Sequence, residues 1–136
     1  MAIETGIYDY VDASDTNRFK QWLEAIGEGP KATINARLIN LAEEPLTQWG
    51  QKKYAEKLSG QDDLWAIRVR VGKVRYRPIG IMGPGQNSFT LLAGATHSGH
   101  RKNRGYEPLS VFKTAQQRKA NVRANPTKHR VRHSFK

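Results

Sequence analysis

Apolar and polar positions alternate with a period of two through the middle of the chain. In residues 64–71, Trp65, Ile67, Val69 and Val71 fall on one face of an extended strand, and Ala66, Arg68 and Arg70 on the other. Gly72-Lys73 supplies a turn, Val74 to Met82 a second strand, and Gly83 to Asn87 a second turn into Ser88 to Gly94. Three β-rich runs joined by two glycine-bearing turns predict an antiparallel meander. Ile7 to Val11 is a shorter strand candidate ahead of it.

Between these runs the period lengthens. Phe19, Trp22, Leu23 and Ile26 lie at i, i+3, i+4 and i+7, the stripe of a helix that starts after Ser14-Asp15-Thr16-Asn17 and stops at Gly27-Glu28-Gly29. Ile34, Leu38, Leu41 and Ala42 give a second helix its stripe; Pro30 suits its first turn and Pro45 ends it. Leu46 to Leu58 reads as weakly helical or irregular. Ser110 opens a last helix to about Arg123, with Val111, Ala115 and Val122 on its apolar side. Trp22 and Trp65 sit on apolar stripes and read as core; Trp49 fits either reading.

The predicted fold is α+β in a single domain over 1–124. An antiparallel sheet, the N-terminal strand plus the three-strand meander, packs against an N-terminal helical hairpin over 18–27 and 30–44, with a C-terminal helix following. Residues 125–136 have too little apolar content to fold alone and read as a basic, flexible tail.

Charge sharpens the picture. The net charge is +11, and it is unevenly spread: residues 1–63 carry 7 Lys/Arg against 11 Asp/Glu, residues 64–136 carry 16 against Glu107 alone. All four histidines, His97, His100, His129 and His133, also lie in the second half. A basic soluble surface is the plain reading, but a half with a single acid points to a polyanionic partner. Arg68/Arg70 and Arg75/Arg77 gather four guanidinium groups on neighbouring strands, where they repel one another unless an anion joins them; phosphate fits the guanidinium fork. There is no cysteine, hence no disulfide and no thiolate zinc site, in keeping with a reducing cytoplasm. No apolar run reaches the roughly 20 residues of a membrane span, and the first residues lack the layout of a signal peptide.

The run Lys57-Leu58-Ser59-Gly60, Leu64-Trp65-Ala66-Ile67-Arg68-Val69-Arg70, Tyr76-Arg77 and Phe89-Thr90-Leu91-Leu92 resembles the RelE/ParE superfamily, closest to its phage-derived HigB-type toxins. The resemblance spans roughly residues 19–123 and includes the element order. It implies a RelE-like fold and a small ribosome-dependent endoribonuclease. Such a chain is the toxin of a type II toxin–antitoxin pair, cleaving mRNA in the ribosomal A site and neutralised by a cognate antitoxin in the cytoplasm. Arg68 falls where the family places a basic residue on the second strand. Arg77 matches the arginine of the Tyr-Arg pair, commonly a phosphate-contacting catalytic residue. His97 and Arg101/Lys102 fall where the family usually has Lys-Lys or Lys-Arg. The chain departs from the pattern at Ala66, where Glu is typical, and at Phe112, near a family tyrosine.

Attack of a 2′-hydroxyl on its own phosphate needs a proton acceptor, charge stabilisation at the phosphorane and help for the leaving 5′ oxygen. Arginines stay protonated and serve the second need, which falls to Arg68 and Arg77. His97 is the candidate for proton transfer, against the bland reading of a polar loop residue; His100 is a weaker one. Arg70, Arg75, Arg101, Lys102 and Arg104 are expected to grip RNA phosphates, with Tyr106 stacking on a base. His97-x-x-His100 has no accompanying Cys or acidic cluster, so neither a metal nor any other cofactor is expected. Two other readings compete. A ParE-like chain poisons DNA gyrase and cuts nothing, and the other rival is a basic nucleic-acid-binding protein that has lost activity.

Overall fold

The computed structural model describes residues 3–51, 53–98 and 105–136. In chain order these form β1 (Gly6–Tyr10), α1 (Arg18–Ala25), α2 (Glu28–Ala42), α3 (Leu46–Trp49), β2 (Ala55–Lys57), β3 (Trp65–Ile67), β4 (Val69–Val71), β5 (Val74–Met82), β6 (Ser88–His97), β7 (Tyr106–Glu107), α4 (Val111–Ala124), α5 (Pro126–His129) and β8 (Arg130–Arg132). Among the described residues the eight strands make one open sheet in the order β2-β3-β5-β6-β1-β8, with β4 beside β5 and β7 beside β6.

The meander is present, and its second and third strands carry the longest ladder. The sheet is mixed, however, because β1 runs parallel to β6. The expected strand over 64–71 is two strands. The Arg68 N–H donates to Tyr54 O at 2.8 Å, and the ladder with β5 breaks there. Between β5 and β6 the register shifts. Ile79 pairs with Ala93 and Gly80 with Leu91, so Leu92 is the extra residue, as in a β-bulge. A Cβ on Gly80 would lie 2.2 Å from Thr90 O, so only glycine admits this approach.

Both faces of the sheet are covered. One core joins Phe19, Leu23, Ile34, Leu38, Leu41 and Trp49 to Ile7, Ile67, Val69, Phe89 and Leu91 beneath α1–α3. The other joins Val111, Ala115 and Val122 of α4 to Tyr10, Ala66, Ile79, Ile81, Leu92 and Ala95. Trp49 is fully buried and its Nε1–H donates to Leu41 O at 2.9 Å, which settles it as core. Gly27, at φ 101°, separates α1 from α2. The two helices do not pair as the expected hairpin. They make little contact with each other, α1 packing on β6 and α2 chiefly on β4. Their stripes find apolar partners on the sheet, which offers a larger surface than either helix.

Residues 125–136 differ most from expectation. The Asn125 side chain accepts from the Lys128 N–H at 3.2 Å, opening the single turn of α5, and β8 then pairs antiparallel with β1. His133 is buried, with Nδ1 2.7 Å from Asp9 Oδ1 and Nε2 2.8 Å from Asn35 Oδ1. Its polar partners and its ladder come from β1 and α2, which is how a segment poor in apolar residues is held in place.

Candidate functional site

The tight turn at Gly72 (φ 61°) brings β4 back as β5, setting Arg70 opposite Arg75 and Val69 opposite Tyr76. Val69 and Tyr76 turn into the α1–α3 core, so alternation sends the flanking arginines to the other face. With Arg37 of α2, Lys53, Tyr54 and Val69, the four arginines Arg68, Arg70, Arg75 and Arg77 line a cleft of about 320 Å³ that reaches round to the α2 side of the sheet. Six of these eight residues are cations and none is acidic. The Arg37 guanidinium sits 4.4 Å from the centre of the Tyr54 ring, and Arg70 Nε–H donates to Gly72 O at 3.0 Å. Arg68 Nη2 donates to Glu56 at 2.7 Å, but both side chains are more than two-fifths exposed, and such a pair holds weakly.

Arg77 differs from the others. It is only 9 % exposed, on β5, with β4 and β6 as neighbours. Its Nη1–H donates to Tyr76 O at 3.0 Å, while Nε is buried without a hydrogen-bond partner among the described residues. Burial draws its pKa down from the ordinary arginine value; Tyr106 and Glu56 nearby oppose that shift, and Arg68 and Arg75 add to it. The Tyr106 hydroxyl is likewise buried without a partner by distance, and it interacts with the Arg77 side chain.

Tyr106 closes the arrangement from behind. Burial raises its phenol above the ordinary value of 10.0, with Arg77 pulling the other way. Its ring stacks on His97, centroids 4.4 Å apart, and tilts against Phe112 at 4.8 Å. At 3 % exposure it is no platform for a base, which corrects the expected stacking role. His97 pairs with Tyr106 across β6 and β7. It is not among the residues that line the cleft.

Arg68, Arg70, Arg75 and Arg77 are thus brought together as the alternating pattern implied. His100, Arg101, Lys102 and Arg104 lie outside the described residues. Sequence reasoning missed Arg37, Lys53 and Tyr54. Arg37 lies next to the apolar stripe position Leu38, a flank that a stripe count passes over, and Lys53-Tyr54 lies in the segment read as irregular. Among the described residues no three His, Asp or Glu side chains gather as a metal ion requires, and no helix is long and apolar enough to cross a membrane. No protein-family model, curated protein or solved structure matches the chain.

Proposed function

We propose that the chain is a metal-independent endoribonuclease that cuts mRNA on the ribosome, the toxin of a type II toxin–antitoxin pair. The observation that carries this reading is the six-cation cleft with a buried, partly unpartnered Arg77 beside it. The element order of the resembling superfamily, a strand, two helices, a meander and a last helix, agrees with it. RNA supplies the phosphates and its own nucleophile. The 2′-hydroxyl loses its proton and attacks phosphorus, and the 5′ oxygen leaves and takes up a proton. The products end in a 2′,3′-cyclic phosphate and a 5′-hydroxyl. Arg77, held by the sheet, favours the charge that grows on the phosphorane over that of the resting phosphate. Arg70 and Arg75 grip flanking phosphates, and Arg68 joins them once RNA displaces Glu56. His97 is the group proposed for proton transfer.

An antitoxin for this chain would present an acidic segment to the arginine face, neutralising the charge that mRNA would otherwise meet. Mapping 5′ ends of cellular RNA soon after induced expression tests the reading. New 5′-hydroxyl ends inside translated codons are expected. Intact mRNA with a gyrase block would turn the assignment to a ParE-like inhibitor, and intact mRNA without any growth effect to an inactive nucleic-acid binder. The burial of Tyr106 and the placement of His97 behind it are the observations that favour these rivals.

A further inference from the structure

The opposite margin of the sheet carries a second basic cleft, of about 510 Å³, where β8 lies along β1. Tyr8 pairs with Arg132, and its ring lies under two guanidinium groups, Arg130 at 3.9 Å and Arg132 at 5.2 Å from the ring centre. Among the described residues neither arginine forms an ion pair with a carboxylate; Arg130 reaches only Ser88 and Thr90 hydroxyls, at 3.4 and 3.5 Å. A Cβ on Gly6 would meet the Tyr8 ring at 3.3 Å and an Arg132 Nη at 3.6 Å, so the absence of a side chain there leaves room for this stack. The turn before β6 adds the amides of Gln86 and Asn87 to the lining, and Glu4 is the one acid in it.

We propose that this cleft is a second binding site for RNA, taking successive phosphates of one strand on Arg130 and Arg132 at a distance from the Arg77 cleft. Residues two apart on a strand are rooted about 6.6 Å apart, which lets the two forks serve two neighbouring phosphates. Contact of both guanidiniums with one tyrosine ring lowers the cost of ordering them when an anion binds. Tyr8, Arg130 and Arg132 alternate onto the same face as Tyr10 and Leu92, the face that carries α4. That is also the face to which the meander arginines project. Three interstrand steps and five residues along β6 separate Arg132 from Arg77, roughly 20 Å. A polymer with a charge at every unit can occupy both clefts; an acidic peptide segment with irregular carboxylate spacing matches the paired forks less well.

The test uses the full chain and a labelled single-stranded RNA carrying 2′-O-methyl groups, which cannot be cut by its own 2′-hydroxyl, so the result does not depend on cleavage. Binding is followed by fluorescence anisotropy across a salt series. Replacing both arginines, Arg130→Ala with Arg132→Ala, is expected to lower the slope of log affinity against log salt by about 1.4, two contacts at ~0.7 each. The paired Lys replacements keep the charge and are expected to keep the slope. Because the two clefts are far apart, the change should add to that of Arg77→Ala. An unchanged slope in the Ala pair overturns the proposal. So does an equal loss in the Lys pair, which would mean that β8 had come off β1. Loss of poly-glutamate binding with RNA binding intact would also overturn it, and would assign the cleft to an acidic protein.

Discussion

The role proposed for Arg77 rests on its place in the backbone. Arg77 and its chain neighbours Tyr76 and Pro78 are all laddered to β6, and Tyr76 also to β4, so the backbone there cannot swing a side chain out to follow a mobile phosphate. A longer lever on a loop would bind ground state and transition state alike, which raises affinity without raising rate. The same rigidity makes two nearby glycines irreplaceable. A Cβ at Gly80 would meet backbone, and one at Gly94 would sit 1.9 Å from the Trp22 ring. Gly80→Ala and Gly94→Ala are each expected to destabilise the chain, by about 1–3 kcal/mol. Gly80 should lie at the upper end, because Thr90 O cannot rotate aside as a ring can. Gly29→Ala, with nothing within 4 Å, is the control and should be neutral or mildly stabilising; urea midpoints compare the three. At this scale the alternating arginines were legible, since alternation alone decides which face they take. The burial of Tyr106 was not, because it depends on a two-residue strand and on Phe112 from α4.

Between elements, polar side chains do the fastening. Asp12 accepts from the Ser14 and Thr16 N–H groups at 2.8 and 3.0 Å and from Arg18 Nε at 2.6 Å, fixing the loop that leads into α1. These partners, the Thr16 N–H foremost, hold its carboxyl below the ordinary value of 3.8. A folded-state pKa below the unfolded one means a contribution that is complete above about pH 4 and is lost as pH falls through the lowered value. Asp12→Asn should therefore flatten the acid limb of the urea-midpoint curve and change little near neutrality beyond a constant offset. His133 fastens the other end. His133→Ala is expected to cost about 2–3 kcal/mol, since Asp9 and Asn35 stay buried with fewer partners. In that variant, amide exchange at Val131 and at position 133 should quicken first, because their ladder to β1 loses its anchor. Removing residues 125–136 altogether would strip β1 of a neighbour, so point substitution is the cleaner probe of the tail. The positions of β1, α1, α2, β5, β6 and α4 followed from periodicity, and those of β2, β7, α5 and β8 did not. The parallel β1–β6 pairing and the docking of β8 did not, because both are long-range contacts between segments whose local patterns leave the partner open.

Over the whole molecule, an acidic first half builds most of the α1–α3 layer and a basic second half builds the central strands of the sheet and α4. Where acid meets base across the halves, Lys119 donates to Asp62 O at 2.6 Å and to its carboxylate at 3.0 Å, and Arg123 pairs with Asp63. These contacts tie α4 down and draw on none of the meander arginines, of which Arg68 pairs with Glu56. Binding of an acidic antitoxin to that face should therefore weaken as salt rises, measured as a fall in association rate. The central claim is that Arg77 in the basic cleft drives RNA cleavage. It is tested most directly by single-turnover cleavage of mRNA on saturating ribosomes, comparing wild type with Arg77→Ala after both show the same urea midpoint and m-value. The expected result is a saturated rate lower by about 10²-fold in the variant, the loss typical of one transition-state donor, with ribosome binding little changed. A variant that cuts at the wild-type saturated rate, or a wild type that does not cut at all, would contradict it.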